Sequence, residues 1–202
     1  MNRKRAAIFV SGSGTNMENI AKQVQAGKLN CDISLIVCDN PGALALTRAQ
    51  KLGLDTFVAQ RKNYPSKSEF EAQIQKKLEE KKIDLIFLAG YMRILGAELV
   101  RKWAGRIVNV HPSLLPKYPG AQAIKDAFEA KEKETGVTIH FVDEGIDTGP
   151  VILQKSVPIQ AGDTLETLEA RVHETEYILY PEAIQLLLDG KITLHNNKVK
   201  IN

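Results

Sequence analysis

The sequence predicts an α/β protein: one domain on a doubly wound, mostly parallel sheet, followed by a long C-terminal helix and a terminal hairpin. Three observations carry that expectation. Short continuous runs of Val, Ile and Leu recur almost to the end of the chain, without the polar alternation of a half-solvated strand. Helical patterns separate the early runs, which is the rhythm of βαβ units with right-handed crossovers. At 202 residues the chain can bury one substantial core, and no linker or internal repeat divides it.

Strands are expected at residues 6–10, 33–38, 56–59, 83–89, 107–111, 137–142 and 151–158, with helices at 16–26, 44–52, 67–82 and 96–103. The first strand, Ala6-Ala7-Ile8-Phe9-Val10, is cut off by Ser11-Gly12. The third helix carries the mixed-sign run Lys76-Lys77-Leu78-Glu79-Glu80-Lys81-Lys82, with opposite charges three and four apart as on a solvated face. Pro112 ends the strand at 107–111, because it has no N–H for the ladder. A long helix should open near Asp163-Thr164-Leu165-Glu166, a cap with an acid three residues on. Leu165, Leu168 and Val172 are spaced to pack on the core. Pro181 should kink or break this helix, and Gly190 should end it. The hairpin pairs Ile192-Leu194 with Val199-Ile201 around a turn at Asn196-Asn197.

Composition excludes several classes. The chain is 44% hydrophobic and 25% charged, with no low-complexity tract. Its apolar runs fall short of the roughly 18 residues of a membrane span, and the first is too short for a signal-peptide core of about 7–15 residues. A cytoplasmic location is expected. Net charge is +3, which suits anionic small molecules but lacks the concentrated basic face of a nucleic-acid binder. Cys31 and Cys38 have no nearby histidine to complete a metal set and read as small buried side chains; no metal is expected.

Two segments carry chemistry. Ser11-Gly12-Ser13-Gly14-Thr15-Asn16 lies between the first strand and the first helix. Its glycines permit a tight turn, and the helix start offers amides and a partial positive charge to a phosphate. Position 17 is methionine, so the third glycine of a dinucleotide fingerprint is missing; no Gly-Lys-Ser/Thr is present either. A single terminal phosphate fits better than a pyrophosphate, although such turns also occur merely to make the corner.

In the second segment, Asn109-Val110-His111, an amide and an imidazole stand two apart on a strand and therefore leave the same face of the sheet. That strand's C-terminal end is where open α/β sheets place ligands. Asp147, in Asp143-Glu144-Gly145-Ile146-Asp147-Thr148-Gly149-Pro150, supplies a carboxylate that could orient the histidine. Taken singly, Asn109 could tie down a strand end, His111 could be a satisfied histidine, and Asp147 could be an Asx-turn residue. His140, His173 and His195 have no partner that the sequence identifies; His173, three residues before Glu176, is placed beside it only by that spacing.

Four motifs in order give a resemblance. Ser11–Asn16, Leu88-Ala89-Gly90-Tyr91-Met92-Arg93-Ile94-Leu95, Asn109 through Gly120 (Asn-Val-His-Pro-Ser-Leu-Leu-Pro-Lys-Tyr-Pro-Gly), and Gly136 through Asp143 continuing to Asp147-Thr148-Gly149 span nearly the whole chain. Together they resemble the phosphoribosylglycinamide formyltransferase family, folate-dependent enzymes of purine synthesis with a Rossmann-like formyltransferase fold. The resemblance implies a single formyltransferase domain over 1–202, with a phosphoribosyl-binding N-terminal half and a folate-binding C-terminal half. It implies that Gly14, Thr15 and Asn16 hold the 5′-phosphate of glycinamide ribonucleotide, and that Glu176 reaches the ribose hydroxyls. Met92, Arg93, Ile94 and Leu95 would line the pterin pocket, largely through backbone groups. The loop Asp143, Glu144, Gly145, Ile146, Asp147 would close its other side, with Asn109 also beside the carrier. Lys67 stands where family members can carry a basic residue near the folate tail.

The implied reaction moves a formyl group from 10-formyltetrahydrofolate, a cosubstrate, to the ribonucleotide's primary amine. Asn109 and a protonated His111 would stabilise the tetrahedral oxyanion. His111 would relay the proton, its imidazolium favoured by Asp147. The protein would act on small molecules as a monomer or homodimer, without nucleic acid or membrane.

Other formyltransferases and a formyltetrahydrofolate hydrolase share the Asn–His–Asp set, so those residues alone do not fix the acceptor. The hydrolases carry an added N-terminal regulatory domain, whereas the first strand here begins by Ala6. Formylation of methionyl-tRNA is disfavoured by the lack of a basic RNA face or an appended C-terminal domain. A NAD-dependent enzyme is suggested by Gly12-Ser13-Gly14 and Asp39, but Asn40-Pro41 follows Asp39 as a turn signal.

Overall fold

A computed structural model describes residues 3–195 and 198–202. The chain forms two compact units, Met1–Val108 and Asn109–Asn202. The first contains β1 (Lys4–Val10), α1 (Thr15–Gln25), β2 (Cys31–Cys38), α2 (Leu44–Lys51), β3 (Thr56–Val58), α3 (Lys67–Glu80), β4 (Leu85–Leu88) and α4 (Ala97–Lys102), with a 3-10 turn at Arg61–Asn63; β5 (Ile107–His111) starts at its end. Its strands follow the order β3-β2-β1-β4, and β1 pairs in parallel with both β2 and β4.

Ala6 to Val10 of β1 are fully buried, as are Ile36, Val37 and Cys38 of β2 and Ile86 and Phe87 of β4. This is the continuous burial that a sheet covered on both faces demands. Met17 and Ile20 of α1, and Ile74 and Leu78 of α3, contribute further fully buried side chains. The start of α3 is fixed by Ser66, whose hydroxyl accepts from the Glu69 N–H at 3.1 Å.

The second unit continues β5 and adds α5 (Ala123–Glu129), β6 (Glu134–Phe141), β7 (Val151–Pro158), α6 (Leu165–Leu188), β8 (Ile192–His195) and β9 (Lys198–Ile201). Its sheet order is β5-β6-β7, with β7 antiparallel to β6. The inner face of α6 buries Leu168, Val172, Tyr180 and Ile184. β8 and β9 form the antiparallel hairpin in the expected register, Ile192 opposite Ile201 and Leu194 opposite Val199. Asn196 and Asn197, expected at its turn, lie outside the described residues.

The expected fold class is the one observed, with three local differences. α6 continues through Pro181 as one helix. A proline removes one helical hydrogen bond at a cost of about 3 kcal/mol, but Leu179, Tyr180, Ala183 and Ile184 are buried around it, and each large apolar side chain buried contributes roughly 1.5–3 kcal/mol. The helix cap is Thr164 rather than Asp163. Thr164 and Thr167 form a reciprocal capping box, while Asp163 binds the Arg171 guanidinium at 2.7 and 2.9 Å. α5, seven residues long, is a helix that the sequence patterns did not lead one to expect. Gly190, at φ 69°, ends α6 as expected.

Phe87→Ala should leave the fold intact but destabilise it by about 3–5 kcal/mol, since the ring is fully buried. Urea unfolding checks this: the midpoint should fall with little change in slope.

Candidate active site

In the first unit, the turn from β1 into α1 is held by its carbonyls. The Ala45 N–H donates to the Gly12 carbonyl at 3.1 Å, and Arg48 Nε donates to that of Ser13 at 2.9 Å. Arg48 is itself paired with Glu18. Gly14, at φ 73°, caps α1 without a side chain, and a Cβ there would stand 2.5 Å from that of Ala45. Only glycine suits both the backbone and the space. With the carbonyls tied back, the turn lies at the N-terminal, positive end of the α1 dipole.

The same unit carries residues 89–96 between β4 and α4. Tyr91 and Leu95 are buried, whereas Met92 and Ile94 are 65% and 61% exposed. Leu95 is therefore core, and a ligand on this segment would meet Met92, Ile94 and backbone. Arg93 Nε lies 2.6 Å from Asp39 Oδ2. Asp39, the carboxylate that suggested a dinucleotide ribose, is thus engaged by an arginine. Lys67 is half-exposed and 3.8 Å from Glu71.

In the second unit, β5 delivers Asn109 and His111 into one network. His111 Nε2 donates to the Tyr118 carbonyl at 2.8 Å, since a carbonyl can only accept. Nδ1 then faces Asp147 Oδ2 at 3.5 Å. The same Asp147 oxygen accepts from the Gly120 N–H at 2.8 Å. Residues 118–120 therefore hold both partners of the His–Asp pair, through Tyr118 at φ 53° and Gly120 at φ 93°. The turn before them is pinned to β6 and β7: Thr138 Oγ1 donates to the Ser113 carbonyl at 2.7 Å, and Gln154 Nε2 donates to that of Leu115 at 3.0 Å.

His140, to which the sequence assigned no partner, belongs to this network. Its Nδ1 donates to the Phe141 carbonyl at 2.8 Å, which leaves Nε2 as an acceptor for Asn109 Nδ2 at 3.1 Å. Nε2 also lies 3.8 Å from Asp147 Oδ1. Its environment makes it a fixed neutral acceptor: burial lowers its pKa, against the opposing pull of the Phe141 carbonyl and Asp147. Asn109 is thus oriented by one of its two amide hydrogens, and the other remains for a ligand.

The Asx turn in 143–149 belongs to Asp143, whose Oδ1 accepts from the Gly145 N–H at 3.1 Å and the Thr148 hydroxyl at 2.7 Å. Asp147 is freed from that role and sits at φ 54°. Gly149 is pressed against the Phe141 carbonyl where a Cβ would be. Glu144 and Ile146 are exposed. Glu176, on α6, is buried at 3% exposure and bonds His173 Nδ1 at 2.9 Å. That hydrogen bond raises the His173 pKa against the effect of burial. Among the described residues no cluster of His, Cys, Asp and Glu could hold a metal ion, and no helix is long and apolar enough to cross a membrane.

The formyl transferase family model matches residues 4–184. The chain belongs to the formyl transferase family. It is 43% identical over 185 residues to phosphoribosylglycinamide formyltransferase of Bacillus subtilis, covering 92% of this chain and 95% of that one. It is 44% identical over 190 residues to the trifunctional purine biosynthetic protein adenosine-3 of Drosophila melanogaster; the match covers 93% of this chain but only 14% of that longer protein. The crystal structure of glycinamide ribonucleotide transformylase 1 from Symbiobacterium toebii superposes with a TM-score of 0.95 at 38% identity, covering 98% of this chain and 94% of that one.

Within this formyl transferase, Asn109, His111 and Asp147 come together as the sequence led one to expect, and His140 is the residue that sequence reasoning missed. The available signal was its place on the strand preceding the Asp147 loop.

In an NMR titration of the four histidines, His140 should titrate below the ordinary value of about 6.5 and His173 above it. The two then act on stability in opposite senses. The unfolded chain takes up a proton at position 140 before the native one does, so His140 costs native stability as pH falls below about 6.5. His173 stabilises below that pH, and its contribution is lost as pH rises through its raised value. Thermal unfolding of His140→Gln against wild type should show a flatter loss of stability toward pH 5.5.

Proposed function

We propose that the protein transfers the formyl group of 10-formyltetrahydrofolate to the primary amine of glycinamide ribonucleotide, a step of purine synthesis, in the cytoplasm and as a monomer or homodimer. The observation that carries this reading is the Asn109–His111–Asp147 network, with each member held by backbone or by a neutral histidine. The names of its full-length relatives support the acceptor.

Gly14, Thr15 and Asn16 would hold the 5′-phosphate, and Glu176, fixed by His173, the ribose hydroxyls. The backbone of Met92, Arg93 and Ile94, with buried Leu95 beneath, would receive the pterin. Residues Asp143–Asp147 would border it, and Lys67 would lie toward the folate tail. All of these assignments serve one formyltransferase activity over 1–202.

The amine attacks the formyl carbon directly, so no covalent enzyme intermediate is needed. Charge grows on the formyl oxygen, where the donors would be the second Asn109 amide hydrogen and, in the protonated imidazole, the His111 Nδ1–H beside Asp147. A fixed donor of this kind is typically worth roughly 100- to 1,000-fold in rate. The new ammonium must lose a proton and the departing carrier nitrogen must gain one. His111 is the relay, with Asp147 beside it balancing the imidazolium. Holding both substrates in place supplies the orientation term.

Mixing protein, 10-formyltetrahydrofolate and glycinamide ribonucleotide should release tetrahydrofolate and formylated ribonucleotide. No turnover with both present would overturn the proposal, and formate release at full rate without the ribonucleotide would assign the same groups to a hydrolase. His111→Ala and Asp147→Asn should each lower turnover about 100-fold or more while the ribonucleotide still binds. Near-wild-type turnover in either variant would remove that residue from the mechanism.

A further inference from the structure

The segment after β4 is tied down at both ends by side chains that the chemistry above does not use. At its start, the Ser11 N–H donates to the Gly90 carbonyl at 3.1 Å, and the Ser11 hydroxyl accepts from the Met92 N–H at 2.8 Å. At its end, Glu71 Oε1 on α3 accepts from the Gly96 N–H at 2.7 Å. Tyr91 between them is buried, its ring edge-on to Phe9 at 5.2 Å. The exposed stretch from Met92 to Ile94 is therefore a short span between fixed points.

Ser11 is also the first residue of the anion loop. It is 8% exposed, and its carbonyl accepts from Asn40 Nδ2 at 3.4 Å. The peptide plane that begins the 12–16 turn and the Met92 amide are thus joined through one buried hydroxyl. A shift of either loop must move or break that hydrogen bond.

We propose that Ser11 is a positioning residue that couples the two loops, so that an anion on residues 12–16 raises affinity for the carrier on residues 92–95, and the carrier raises affinity for the anion by the same factor. The inference rests on the function proposed above. Coupling of this kind is reciprocal by linkage. Transmission through a single net hydrogen bond sets its size at about three- to tenfold. Glu71 differs: it anchors only the far end of the carrier segment and has no bond to the anion loop, so it places the segment without coupling it.

Calorimetry on the full chain tests this with tetrahydrofolate, which has no formyl group to transfer, titrated with and without saturating glycinamide ribonucleotide. Wild type should bind tetrahydrofolate about three- to tenfold more tightly with the ribonucleotide present. Ser11→Ala should bind each ligand alone but lose that factor. Glu71→Ala should weaken tetrahydrofolate binding while keeping the factor. Hydrogen exchange on the wild type needs no variant: saturating ribonucleotide should slow exchange at the Met92 amide. Coupling of equal size in Ser11→Ala, additive binding in wild type, or a Met92 amide indifferent to the ribonucleotide would each overturn the proposal. If neither ligand binds the wild type, the function proposed above falls and the inference falls with it. If both bind independently, only the inference falls.

Discussion

The Asp147 carboxylate stands between two imidazoles, and the rest of the site is arranged around that placement. One oxygen faces His111 at 3.5 Å and takes the Gly120 amide; the other lies 3.8 Å from His140. A carboxylate partly withdrawn from water is costly unless hydrogen-bond donors compensate. The donor here is a backbone amide that cannot rotate away, and the histidines differ in kind. His140 is committed as neutral, because Nδ1 is spent on a carbonyl and Nε2 on Asn109. His111 differs in that its Nδ1 faces the Asp147 carboxylate instead of an amide. Two chemically identical side chains are distinguished by what each nitrogen touches.

Much of this geometry is carried by backbone. Tyr118 supplies a carbonyl to His111 and Gly120 an amide to Asp147, two residues apart. Left-handed backbone at Tyr118, Gly120 and Asp147 lets a short segment present both groups. Non-glycine residues in that region carry a conformational cost, which the surrounding hydrogen bonds offset. The second unit thus spends local strain where donors and acceptors must be placed, while its stability comes from β6, β7 and the buried face of α6.

The legibility of the sequence followed the range of the physics. Asn109 and His111 could be placed on one face because strand periodicity is local. The parallel sheet could be read because buried strands leave continuous apolar runs. Asp147 could be named from its loop, but its release from the Asx turn could not, because Asp143 and Asp147 compete for that role in the same motif and only the fold decides. His140 looked partnerless because its contacts span 31 residues to Asn109. Pro181 misled for a related reason: a local helix breaker is outweighed by burial that no short window displays. The roles given to Lys67 and Glu176 came from resemblance, and the structure adds a buried, histidine-held carboxylate for Glu176 alone.

The most direct measurement of the central claim is a crystal structure with glycinamide ribonucleotide and a carrier whose formyl group cannot leave. The account predicts the formyl oxygen about 3 Å from Asn109 Nδ2 and from a His111 ring nitrogen, with the amine about 3–3.5 Å from the formyl carbon. A formyl group bound well away from that pair, with Asn109 and His111 still engaged only with protein, would contradict it.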